Sequence, residues 1–147
     1  MTTAVLEQHR LRRRERAPYG RYLLASVGLM AVATANGVTR ETTYGKALDE
    51  DVAHWISLVP MVGLFAVYVN FLERRWPLPS WPSAVVVGGA WAAIAAGFEL
   101  GVGHYVDGKS WSDLVREYNL AAGRSGAIVL AVTAALPSVV RAWRRRR

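Results

Sequence analysis

Eight polar residues stand at the borders of long apolar runs and are the chain's candidates for chemistry: Asn36, Arg40, Glu41, His54, Ser57, Glu99, Asn119 and Arg124. Asn36 and Arg40 are four apart and share a helix face. His54 and Ser57, three apart, also share one. Asn119 and Arg124, five apart, align only roughly. Glu99 is flanked by Phe98 and Leu100 within an apolar run. A carboxylate in that setting needs a partner or takes up a proton. Arg40 and Arg124 are the expected partners, on reach and on side.

Together these groups suit a polar pocket for a small polar or anionic solute, or a route for protons through Glu99 and His54. His104 and Glu117 lie close to the same borders. The plainer alternative is that ion pairs and hydrogen bonds merely tie helix ends together, with Arg124 reaching up to the headgroups. Two function classes follow. One is a small transporter, channel or solute-binding protein with its pocket open to the outside. The other is an accessory subunit of a larger membrane complex.

A metal site built from Glu41, His54, Glu99 and His104 is a narrower version of the pocket. None of these residues has the tight ligand spacing that marks such sites, so no metal or cofactor is expected. Ser57 and His54 have the residue types of a nucleophile and its base, but spacing alone is weak evidence for that pairing. Helix packing is the simpler role for Ser57, and an enzyme is the less favoured class. The chain has no cysteine, which excludes disulfides and thiolate chemistry.

The elements that must position these residues are membrane spans. Of the 147 residues, 52% are hydrophobic and 20% charged, and the charges lie in blocks between nearly uncharged runs. Four runs are long enough to cross a bilayer: about 22–39, 55–71, 83–100 and 121–142. The predicted fold is an all-α, antiparallel four-helix transmembrane bundle. A basic segment, 1–21, precedes it, and an arginine tail, 143–147, follows. Residues 2–16 have the makings of a short surface helix. Pro60 is expected to kink the second span and Pro137 to bend the fourth. Tyr68 and Asn70 read as an interfacial tyrosine and a polar helix end.

Charge sets the orientation. The segments assigned inside carry thirteen Arg and three acids, whereas those assigned outside carry three Arg, two Lys and eight acids. Both termini are therefore expected to be cytoplasmic, with the arginines at anionic headgroups. That placement argues against nucleic acid as the partner of the +7 net charge. The preference for Arg over Lys is a mark of high-GC bacterial genomes, so the expected location is a bacterial inner (plasma) membrane. Ala33-Thr34-Ala35 also resembles a signal-peptidase site, whose use would remove 1–35.

The third and fourth spans carry ladders of small residues: Gly89-Ala93-Gly97, Gly88-Ala92-Ala96 and Gly123-Ala127-Ala131-Ala135. These are expected to make the tightest helix contact, or to build a homodimer or a larger complex. Between the two spans, Ser110 and Asp113 have capping-box spacing. Trp111, Leu114, Val115 and Tyr118 then follow as an amphipathic turn at the interface. Each half of the chain is a span ending near a glutamate followed by a returning span, which suggests a weak 2+2 repeat.

Overall fold

The computed structural model describes residues 17–119, 121 and 125–146. The expected surface helix over 2–16, and Gly123 and Arg124, lie outside the described residues. The described chain forms five helices and no strand: α1 (Tyr19–Thr42), α2 (Glu50–Arg75), α3 (Trp81–Tyr105), α4 (Trp111–Arg116) and α5 (Gly126–Arg145). All but the short α4 are long and apolar enough to cross a membrane. Even α5, at 20 residues, extends about 30 Å at 1.5 Å per residue, the thickness of a hydrocarbon core.

The helices outrun the apolar stretches because their polar ends are satisfied locally. α1 continues through Asn36, Arg40 and Glu41. There the Thr39 and Thr42 hydroxyls donate to the carbonyls of Ala35 and Val38 one turn back. α2 starts at Glu50 because Asp49 caps it, its side chain accepting from the Asp51 amide at 3.1 Å. It runs past Pro60 as one helix and takes in Glu73, Arg74 and Arg75, which lie beyond the predicted span of 55–71. Ser80 caps α3, with Pro82 in the first turn.

The fourth span begins at Gly126 rather than near residue 121. Beyond α4 the amides of Glu117, Tyr118 and Asn119 each donate to a carbonyl three residues back. The Asn119 side-chain oxygen then accepts from the Ala121 amide at 3.1 Å. An asparagine that bonds its own backbone in this way favours a turn over helix continuation.

The bundle is a ring in which α1 touches α2 and α3, and α5 touches α2 and α3; neither α1 and α5 nor α2 and α3 meet. The α3–α5 contact is the most extensive. It is closest at Gly88, where any Cβ would collide with the Ala134 carbonyl. The rest of the ladder pattern divides: Ala92 and Ala96, which continue the Gly88 ladder, and Ala127 are half-buried. Gly89, Ala93 and Gly97 are exposed on the opposite face of α3, and Ala131 and Ala135 are exposed on α5. Ala134, one place off the predicted α5 ladder, makes the contact.

The buried core sits toward the end where α1 begins and α5 finishes, the arginine-rich end. Tyr22, Val69, Leu72, Leu78, Ala84 and Trp91 are its most enclosed members. A hydrogen-bonded clamp runs through it. Tyr22 donates its hydroxyl to Glu73 at 3.1 Å and to the Trp76 carbonyl at 3.2 Å. Glu73 also accepts from the Leu78 amide at 3.1 Å. Trp91 donates to the Tyr22 carbonyl at 2.7 Å. Arg141 donates to the carbonyls of Leu78 and Pro79 at 3.0 and 2.9 Å. Arg144 reaches Asn70 at 3.0 Å, and Arg21 lies over the Trp76 ring. Every buried side-chain nitrogen and oxygen among the described residues has a partner, as a bundle without access to water requires.

Candidate functional site

At the opposite, acid-bearing end the helices enclose a cavity of about 500 Å³. α1 contributes Asn36, Arg40 and Glu41. α2 contributes Glu50, His54, Ser57 and Met61. α3 contributes Phe98, Glu99 and Gly103. The α3–α5 connection closes one side with Asp107, Lys109, Leu114, Glu117 and Tyr118. Leu58, Met61 and Val129 line the cavity as well as packing in or against the core, and they form its floor. Met61 is eleven residues into α2, about 17 Å below the start of that helix.

The sequence candidates divide into three groups. Asn36, Arg40, Glu41, His54, Ser57 and Glu99 line this one cavity. Asn119 does not, being engaged in the turn before α5. Arg124 lies outside the described residues. His104 stands apart as well. Its ring stacks on Trp111 with centroids 4.2 Å apart, and its Nδ1–H donates to the Lys109 carbonyl at 2.9 Å.

Of the two expected partners of Glu99, Arg124 lies outside the described residues, and Arg40 is engaged elsewhere. Arg40 pairs with its chain neighbour Glu41 at 3.4 Å. Glu99 instead accepts from the Tyr118 hydroxyl through Oε2 at 2.7 Å. Tyr118 reaches it because α4 is anchored to α3 by Leu114, which is buried against Gly103. The Ser110 cap on the Asp113 amide, at 3.2 Å, sets the start of that helix. Burial of the Tyr118 hydroxyl, then its hydrogen bond to Glu99, and then the negative charge of Glu99 and Glu117, push its pKa well above the ordinary tyrosine value. It therefore stays protonated and remains a donor.

His54 and Ser57 do not form a nucleophile–base pair. The Ser57 hydroxyl donates to the His54 carbonyl at 2.9 Å and is buried there. The His54 Nδ1–H donates to the Glu50 carbonyl at 2.9 Å. This tautomer leaves Nε2 as the ring's remaining polar atom. No three of the described histidine and acidic side chains converge as metal ligands, so Glu41, His54, Glu99 and His104 do not gather into one centre.

Sequence reasoning passed over Glu50, Asp107, Lys109 and Tyr118. Tyr118 did carry a signal, its place on the apolar face of the amphipathic turn, but that periodicity pointed to lipid rather than to Glu99. Comparison with known proteins adds no further guide: no family model, no curated protein and no solved structure matches the chain.

Proposed function

We propose that this is a small multi-pass membrane protein that binds a small polar solute in the cavity at its acid-bearing end and delivers it across the membrane. The carrying observation is convergence. Six polar residues from three separate spans border one cavity, and one of them, Glu99, is a carboxylate within an apolar run. Intramembrane ionisable groups are costly and belong to solute and proton pathways more often than to packing. A cavity of this volume suits a small molecule. On the positive-inside rule, the thirteen arginines grouped with the termini put that end on the cytoplasmic side of a bacterial inner membrane. The cavity then faces out.

Single-cysteine labelling tests the orientation, since the chain has no cysteine of its own. In intact cells an impermeant thiol reagent should modify Lys46→Cys and spare Pro77→Cys; the reverse pattern would invert the proposed topology. Uptake or efflux of labelled solutes by vesicles containing the protein tests the function. Activity should vanish in Glu99→Gln while the folded protein persists.

A second reading keeps the protein as an accessory subunit, or as a homodimer. It draws on Gly89, Ala93 and Gly97, which leave one face of α3 smooth and exposed. Such a face admits the close approach of another helix in lipid. Cross-linking through Ala93→Cys distinguishes the two: a partner trapped at that site, together with an inert cavity, favours the accessory role.

A further inference from the structure

Accepting the solute-binding reading, the cavity's lining narrows the class of solute. Five of its described side chains are carboxylates: Glu41, Glu50, Glu99, Asp107 and Glu117. Two are cationic, Arg40 and Lys109. Arg40 already faces Glu41 at 3.4 Å, so its charge is largely offset locally. An anion would have to settle among carboxylates, where like charges make binding unfavourable. The lining thus turns the expectation of an anionic solute around.

We infer that the cavity takes a small monovalent organic cation with an apolar body, held by the Glu99 carboxylate. Glu99 has one oxygen to spare: Oε2 accepts from Tyr118, while Oε1 accepts no hydrogen bond from the described residues. The Tyr118 bond occupies one carboxylate oxygen and leaves the second for the ligand. Phe98 and Tyr118 border the cavity beside Glu99, and aromatic faces attract organic cations. Below them Leu58, Met61 and Val129 offer an apolar floor suited to a hydrocarbon body rather than to a hydrated ion. A bare metal cation fits less well. It would leave most of the 500 Å³ unfilled, and no three-ligand cluster exists among the described residues to hold it.

The test uses the full chain in detergent or nanodiscs and three probes of similar size: benzyltrimethylammonium, benzenesulfonate and benzyl alcohol. Calorimetry should show the cation binding and the sulfonate not. Glu99→Gln should weaken the cation on the order of tenfold to a hundredfold, the loss of one charged contact, and leave benzyl alcohol little changed. Tyr118→Phe should bind the cation as well as or better than the wild type, because the carboxylate is then unshared and the ring remains. Binding of sulfonate in preference to the cation overturns the solute class and leaves the pocket standing. Binding of none of the three overturns the pocket as well. Equal cation affinity in the wild type and Glu99→Gln removes Glu99 from the site. If Glu99→Gln does not fold, the wild type carries the test: cation affinity should fall as NaCl is added, while benzyl alcohol stays constant. Salt-independent cation binding would overturn the proposal.

Discussion

At the arginine-rich end Tyr22, Glu73, Leu78 and Arg141 hydrogen-bond across three helices and the α2–α3 loop, and each is 8% exposed or less. At the acid-bearing end the Glu41 side chain is 72% exposed, and among the described residues Glu99 hydrogen-bonds the loop tyrosine alone. The same four long helices build both ends. The difference lies in what their polar groups bond to. At the first end, side chains satisfy backbone carbonyls and one another, so charge serves closure. At the second, Ser57, Thr39 and Thr42 bond back within their own helices. Little is left there to draw the helices together. Closure at one end therefore lets the other stay open without loss of the fold.

Substitutions should show the asymmetry, and the largest effects belong to the closed end. Trp91→Ala removes a ring that is 2% exposed and the donor to the Tyr22 carbonyl. It should cost about 3–5 kcal/mol, the usual range for a truncated core aromatic, read as a lost or much lowered unfolding transition in detergent. Gly88→Ala comes next. Its Cβ would meet the Ala134 carbonyl, so α3 and α5 must part, at about 1–3 kcal/mol. Gly89→Ala, with nothing within 4 Å, should stay within about 0.5 kcal/mol of the parent. Tyr22→Phe removes the hydroxyl that serves Glu73 and the Trp76 carbonyl; about 1–2 kcal/mol is expected from the same unfolding measurement.

Substitution of the open end's polar groups should also affect stability little. Glu99→Gln should shift the unfolding transition by no more than about 1 kcal/mol, since it weakens one hydrogen bond at an exposed side chain. If it unfolded the protein as severely as Trp91→Ala, Glu99 would hold the fold at the open end as well, and the contrast between the two ends would fail.

The spans were legible in the sequence because hydropathy is a local property: three long helices contain their predicted runs, and the fourth covers its run from Gly126 onward. Their ends were less so. Threonine back-bonding carries α1 past the end of its apolar run, the Asp49 cap starts α2 before its own, and Asn119 makes a turn ahead of α5. The grouping of Asn36, Arg40, His54 and Glu99 followed from span direction alone, since alternate helices bring alternate borders to one side. The clamp was not legible. Tyr22 reads as an interfacial aromatic and Glu73 as a loop acid, yet they meet across 51 positions, and no periodicity encodes that contact. Tyr118 shows the same limit on a smaller scale: its helical spacing was right, and its partner was not.

The bond from Arg141 to Leu78 spans 63 positions, and this sets an order on biosynthesis. When α3 emerges from the ribosome, the carbonyls of Leu78 and Pro79 have no guanidinium to receive them. Only after α5 has followed can the turn between α2 and α3 be completed. A chain ending before Arg141 would leave the Leu78 and Pro79 carbonyls without the guanidinium that donates to them.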